Sequence, residues 1–175
     1  MKYQTFWRRV GAAFLDGLIF MPVGIIGLFL IHIFHSPIIS VIWEIIHMWT
    51  WVAYSVLMHG HKGQTVGKII CKVRVLDISE SKLSLKQAFL RDIVPIVVNV
   101  VHMAFIIFNP TYYYGFKTKD LSYLSGMPKW YWIGMIIFSS ITFLWFLLEV
   151  LTMLLNNKRR AVHDFIAGSV VCRDV

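Results

Sequence analysis

Residues 10–34 read VGAAFLDGLIFMPVGIIGLFLIHIF, and this stretch decides the class of fold. Its single formally charged side chain is Asp16. A helix that crosses the hydrocarbon of a bilayer needs ~20 mostly apolar residues, so this segment is long enough to span. Three further segments read the same way. Residues 37–58 carry only Glu44, residues 93–114 carry no charge, and residues 130–157 carry only Glu149. The expectation is an all-α membrane protein with four transmembrane helices over 10–34, 37–58, 91–114 and 130–155, in one domain over 1–175. A signal peptide does not fit the first segment. Its apolar run exceeds an h-region, no A-x-A-like site follows Pro22, and three more spans come after it.

Composition agrees: 58% of the 175 residues are hydrophobic and only 15% charged, where a soluble domain carries about a quarter. The net charge of +8 does not point to nucleic acid, because the basic residues are distributed by topology. Fourteen of the seventeen Lys and Arg lie before span one, between spans two and three, or after span four. The other three, Lys117, Lys119 and Lys129, sit between spans three and four. The positive-inside bias therefore places both termini and the middle loop in the cytoplasm. Cys71 and Cys172 then face a reducing compartment, where a structural disulfide is not expected.

The middle loop, His59 to Lys86, is the one sizeable polar excursion. It opens with HGHKGQTVGKI, in which Gly63, Gln64, Thr65, Gly67 and Lys68 suggest a tight turn back to the inner surface. Val73, Val75 and Ile78 fit a short strand. SLKQAFLRDIVPI then begins an amphipathic helix that enters span three, with Pro95 expected to kink it or to start the span. After span four, AVHDFIAGSVVCRDV is too short to cross again and reads as a short surface helix followed by a strand-like tail.

A carboxylate within a spanning helix costs ~3 kcal/mol on insertion scales. Asp16 must then be protonated, paired or exposed to a cavity, and Arg91 at matching depth is the expected partner. Asp164 is expected to pair with Arg8 or Arg9. Together Arg9, Asp16, Arg91, Asp92 and Asp164, with Glu149 nearby, are expected to form one polar cluster at the inner face.

These residues carry a resemblance. Arg9 followed by Asp16, then GQTVGKIICKVRVLD, then Arg91 entering a span, then RRAVHDFIAGSVV, together resemble the RDD family of bacterial membrane proteins. The arginine and two aspartates that name the family match Arg9, Asp16 and Asp164, and the likeness runs from about residue 5 to residue 173. Lys72 stands where the family usually has glycine before its R-V pair, and these spans and outer loop are longer than in compact members. The resemblance implies a multi-pass protein of the bacterial cytoplasmic membrane, with suggested roles in cation/proton transport or as an accessory to other membrane proteins.

Three functional readings follow. In the first, the acid–arginine cluster is a small-ion path for a monovalent cation and a proton, with Asp16 as the exchanging carboxylate and Arg9 and Arg91 tuning it. Glu44 and His47 share one face of span two. With His102 and Asn99 on span three, and Glu149 on span four, they are relay candidates, since histidine titrates near physiological pH. Four helices line a small path, so a homo-oligomer is expected. In the second reading the same acids are a structural clasp, and the protein is an accessory that binds another membrane protein. The third, a haem or metal protein, has little to stand on: His32 and His35 share an outer face, and His47 and His61 are fourteen apart. A bis-histidine haem needs paired ligands at equal depth on two helices, but His102 has no second histidine on its own span, and His61 is expected outside the membrane. No metal or cofactor is expected. Enzymatic chemistry is not expected either: GQTVGK lacks the first glycine and the hydroxyl of a phosphate loop, and no G-x-S-x-G occurs.

Overall fold

The computed structural model describes residues 2–3 and 5–174. Helix α1 runs Phe6–Phe34 and α2 runs Pro37–Lys62. His35 adopts a left-handed conformation that caps α1, and Ser36 caps α2 with Pro37 in its first turn, where a missing N–H has no cost. Two residues thus reverse the chain into an antiparallel hairpin. The helices approach closely because Gly27 has no side chain: a Cβ there would lie 2.1 Å from the Trp43 indole nitrogen.

The third crossing is broken. Helix α4 (Leu85–Arg91) begins at a capping box of Ser84 and Gln87, and meets α5 (Ile93–Phe108) at a 54° bend. Pro95 explains the place of the bend, since its ring lacks an N–H for the Arg91 carbonyl and crowds it. The expected span 91–114 is corrected at its outer end. The helix stops at Phe108, and Pro110–Thr118 forms a separate helix, α6, folded back against α2. The cause is Asn109-Pro110: a residue before proline is pushed out of the helical region, and Asn109 sits at φ −139°, ψ 59°. A short turn of helix, α7 (Leu121–Leu124), leads to α8 (Lys129–Leu155), within one residue of expectation.

Three helices, α1, α2 and α8, are long and apolar enough to cross a membrane, and the α4–α5 pair makes a fourth if counted as one bent span. Their outward faces carry large apolar side chains such as Phe14, Ile25, Ile136 and Phe146, a continuous surface that suits lipid and not water.

At one end of the helices the polar segments assemble. Helix α3 (Val66–Ile70) packs on α1, β1 (Val73–Asp77) follows, and after α8 come α9 (Val162–Ile166) and β2 (Ser169–Arg173). The two strands pair antiparallel, from Val73 opposite Arg173 to Asp77 opposite Ser169. The strand, the surface helix and the strand-like tail anticipated from sequence are thus present; the pairing of strand and tail into one ribbon is new. Val73, Val75, Val171, Leu83, Ala88 and Ala12 form the dry core beneath it. The Arg173 N–H donates to Lys2 O and the Tyr3 hydroxyl to Glu80, so the N-terminal segment, middle loop and tail share one end.

Candidate functional site

Asp164 lies at the centre of that end with no exposed surface. Arg9 Nη1 donates to one of its oxygens at 2.7 Å and Arg91 Nη1 to the other at 2.5 Å. Ala161 N–H and the Ser169 hydroxyl complete the shell. Burial on its own would raise this carboxyl, but Arg91 and Arg9 outweigh it and hold Asp164 well below the usual carboxylate range. Arg91 Nη2 also lies 2.7 Å from His163 Nε2. A guanidinium only donates, so that ring nitrogen accepts and the proton resides on Nδ1, 2.6 Å from Glu149 Oε2. Arg160 then ties α9 to β2 through Ser169 O and Asp164 O. Of the two partners expected for Asp164, the structure selects Arg9. Arg8 instead donates to Cys71 O.

Asp16 is not part of this group, and its expected pairing with Arg91 is corrected. Its oxygens accept from Tyr54 Oη at 2.8 Å, Thr65 Oγ1 at 2.6 Å and Gly67 N–H at 2.8 Å. All three donors are neutral, and two belong to GQTVGK. The negative carboxylate meets the first turn of α3, where backbone N–H groups are otherwise unmet, so a counterion is unnecessary. Gly67 makes the approach possible: a Cβ would lie 2.2 Å from Ala12 O and 2.9 Å from Asp16 Cγ. The other motif residues act around it. Gly63 ends α2 at φ 69°, and Gln64 bonds Val73 O and Asp174. The one expected cluster is therefore split: Arg9, Arg91 and Glu149 stay around Asp164 and His163, Asp16 stands apart, and Asp92 turns to Ser55 instead.

A third polar group was not foreseen. Lys68 Nζ lies 2.5 Å from His59 Nε2, His59 Nδ1 lies 3.3 Å from Ser55 Oγ, and Ser55 Oγ donates to Asp92 Oδ2 at 2.7 Å. The hydroxyl proton being committed to Asp92, His59 donates through Nδ1 and accepts from Lys68. Burial, then repulsion from Arg91 and Arg9, lowers the Lys68 ammonium to about 7. The i, i+4 spacing of Ser55 and His59 was the signal in the sequence, but Asp92 and Lys68 reach them only through the bend and the α3 turn.

Farther along the bundle, α1, α2 and α5 border an open cavity of about 430 Å³ that brings together Glu44, His47, Asn99 and His102. Four of the five relay candidates therefore share one space; Glu149 is elsewhere, at His163. His102 stacks on Phe138 of α8 with ring centres 5.5 Å apart. Toward the polar end, Phe20 packs on Trp51 and Tyr54 at 4.8 and 5.1 Å, standing between the cavity and the Asp16 shell. Toward the other end, α6 covers Glu44: Lys117 Nζ is 3.5 Å from its carboxylate and the Tyr113 hydroxyl bonds to it. Neither partner was visible in the sequence, because the fold-back of α6 depends on the break at Asn109.

A family model described as the RDD family matches residues 3–168, nearly the whole chain. Neither curated proteins nor solved structures give a match.

Proposed function

The chain belongs to the RDD family of membrane proteins, and from that premise we propose that it exchanges a small monovalent cation for protons across a bacterial cytoplasmic membrane, with both termini and the middle loop inside. One observation carries this reading. A carboxylate, two imidazoles and an amide line a cavity among apolar spanning helices, and ionisable groups at such depth are functional by default. Glu44 is the exchanging group in this reading, whereas Asp16 anchors the middle loop. At 3.5 Å, Lys117 stands where a bound cation would stand, so a transported ion competes with a tethered ammonium, and protonating Glu44 releases either. His47 and His102 pass the proton onward.

The test uses the purified protein in phosphatidylcholine–phosphatidylglycerol vesicles with a trapped pH indicator and an imposed Na⁺ or K⁺ gradient. Wild type shifts the internal pH; Glu44→Gln does not, while its unfolding midpoint stays near wild type. Equal fluxes in wild type and Glu44→Gln refute the assignment. A second reading, an accessory that docks on another membrane protein, draws on α8, whose most apolar stretch has none of its residues buried. No flux in wild type, alongside a co-purifying membrane partner, favours that reading.

A further inference from the structure

A second cavity, of about 380 Å³, lies where the first turn of α1 meets the last turn of α8 and the end of β2. Its lining divides by chemistry. Arg8, Arg159 and Arg173 supply three guanidinium groups, and Phe6, Trp7 and Leu154 supply an apolar wall. No carboxylate lines it. The three arginines come from distant parts of the sequence and converge by separate devices. Arg8 is held by Cys71 O at 2.9 Å. Arg159 is turned back over α8 by a left-handed residue, φ 50°, and caps Leu154 O. Arg173 is placed by strand pairing and by the bond from its N–H to Lys2 O. Among the described residues, none of these three side chains pairs with an acid.

Three like charges around one space repel unless an anion joins them. A left-handed backbone is unfavourable for a residue that carries a Cβ, yet Arg159 adopts it and adds a charge to the group. The apolar half is outward: Trp7 is 80% exposed and Leu155, next to the lining Leu154, 83%, at the mouth of a cleft between two helices of spanning length. A soluble phosphate would use the guanidinium groups and leave that wall idle. A phospholipid uses both, its acyl chain along Trp7 and Leu154 and its phosphate among the arginines. We infer that this cleft is a binding site for the phosphate headgroup of an anionic phospholipid, wedged between α1 and α8. The inference stands apart from any transport by the Glu44 cavity, and its test reads binding alone.

The full-length protein in a neutral detergent is titrated with dihexanoyl phosphatidylglycerol, dihexanoyl phosphatidylcholine or inorganic phosphate, and the thermal unfolding midpoint is followed. The anionic lipid raises the midpoint at concentrations at least tenfold below those of the zwitterionic lipid, and inorganic phosphate has no effect. A basic residue beside an anionic surface contributes ~1 kcal/mol, so Arg173→Gln weakens the response roughly fivefold, and substituting all three arginines by glutamine roughly a hundredfold. Among the described residues the Arg173 side chain has no hydrogen bond to lose, so that variant folds even if Arg8→Gln or Arg159→Gln does not. Replacing Lys62, Lys82 and Lys86 by glutamine leaves the response intact. An unchanged response in Arg173→Gln, an equal loss in the lysine variant, or equal effects of the two lipids overturns the proposal. A full response to inorganic phosphate assigns the site to a soluble anion instead.

Discussion

Asp16 and Asp164 are both buried aspartates, yet replacing each by asparagine should have very different consequences. Asp164 neutralises Arg9 and Arg91 at 2.7 and 2.5 Å with no solvent contact. In Asp164→Asn the new amide keeps one acceptor for one guanidinium and turns N–H groups toward the other, so a buried positive charge loses its counterion. Breaking a buried pair in this way costs about 3–5 kcal/mol. Asp16 has only neutral donors. In Asp16→Asn the carbonyl oxygen still accepts from Tyr54 and Gly67, while the amide faces Thr65, whose hydroxyl rotates to accept. What is lost is charge assistance on those bonds, about 1 kcal/mol. Equilibrium unfolding in mixed detergent, followed by tryptophan fluorescence, should therefore separate the variants by about 2–4 kcal/mol, the margin between those two costs. Arg9→Met in the Asp164→Asn background should recover part of the loss, a coupling that a double-mutant cycle reads directly. Equal costs within about 0.5 kcal/mol, the usual limit of additivity, would show that Asp16 does need a cation, and the separation of the two clusters would be wrong.

Two further outcomes follow from the inner face. Lys68, lowered to about 7 from an ordinary 10.5 among His59, Arg91, Arg9, Asp92 and Asp164, binds fewer protons folded than unfolded between those values, so stability should rise with pH across that window. Lys68→Met should raise the unfolding midpoint at pH 7 and flatten the rise; a rise as steep as in wild type would place its origin elsewhere. Lys72 is exposed at φ 53°, so Lys72→Gly should stabilise by roughly 0.5–1 kcal/mol, the left-handed penalty less the extra chain entropy of glycine. A destabilised variant would mean that the lysine side chain contributes more than its backbone costs.

The spans were legible because a bilayer imposes a length and forbids charge, and both conditions can be read residue by residue. Pro95 and the Asn109-Pro110 pair were equally local signals, although only the first was interpreted as a break. The strand at Val73 and the helix at Val162 were visible as short patterns. The pairing of the Val73 strand with the Ser169–Arg173 tail was not, since nothing in either segment specifies a partner so distant in the chain. The site was half legible for a related reason. Charge conservation made a counterion for Asp16 seem obligatory, but a carboxylate is also satisfied by hydroxyl and backbone donors, and these leave no trace in a count of charges. The same blindness hid Lys117, whose approach to Glu44 depends on how α6 folds after Asn109.

Arg9, Asp16 and Asp164, the residues that carry the resemblance, are the least suited to the proposed exchange. A transported cation needs a carboxylate that can change partners within each cycle. Freeing Asp16 means breaking bonds to Tyr54, Thr65 and Gly67, each to a charged acceptor and each contributing about 1.5–3 kcal/mol. That adds roughly 5–9 kcal/mol to any step that opens it, which slows the step by about four to seven orders of magnitude. Asp164 is held more tightly still, by two guanidinium groups. Glu44 is different: it has one hydroxyl donor, Tyr113, and an ammonium partner 3.5 Å away at the end of a flexible side chain on α6, and cavity space lies beside it. Arg9, Asp16 and Asp164 therefore set the geometry of the polar end, joining α1 to α3 and to α9, and in the proposed exchange that frame would hold the bundle while Glu44 changes partners. If flux proves to depend on Asp16 charge and not on Glu44, the frame itself must open, and the hydrogen bonds counted here must break in every cycle.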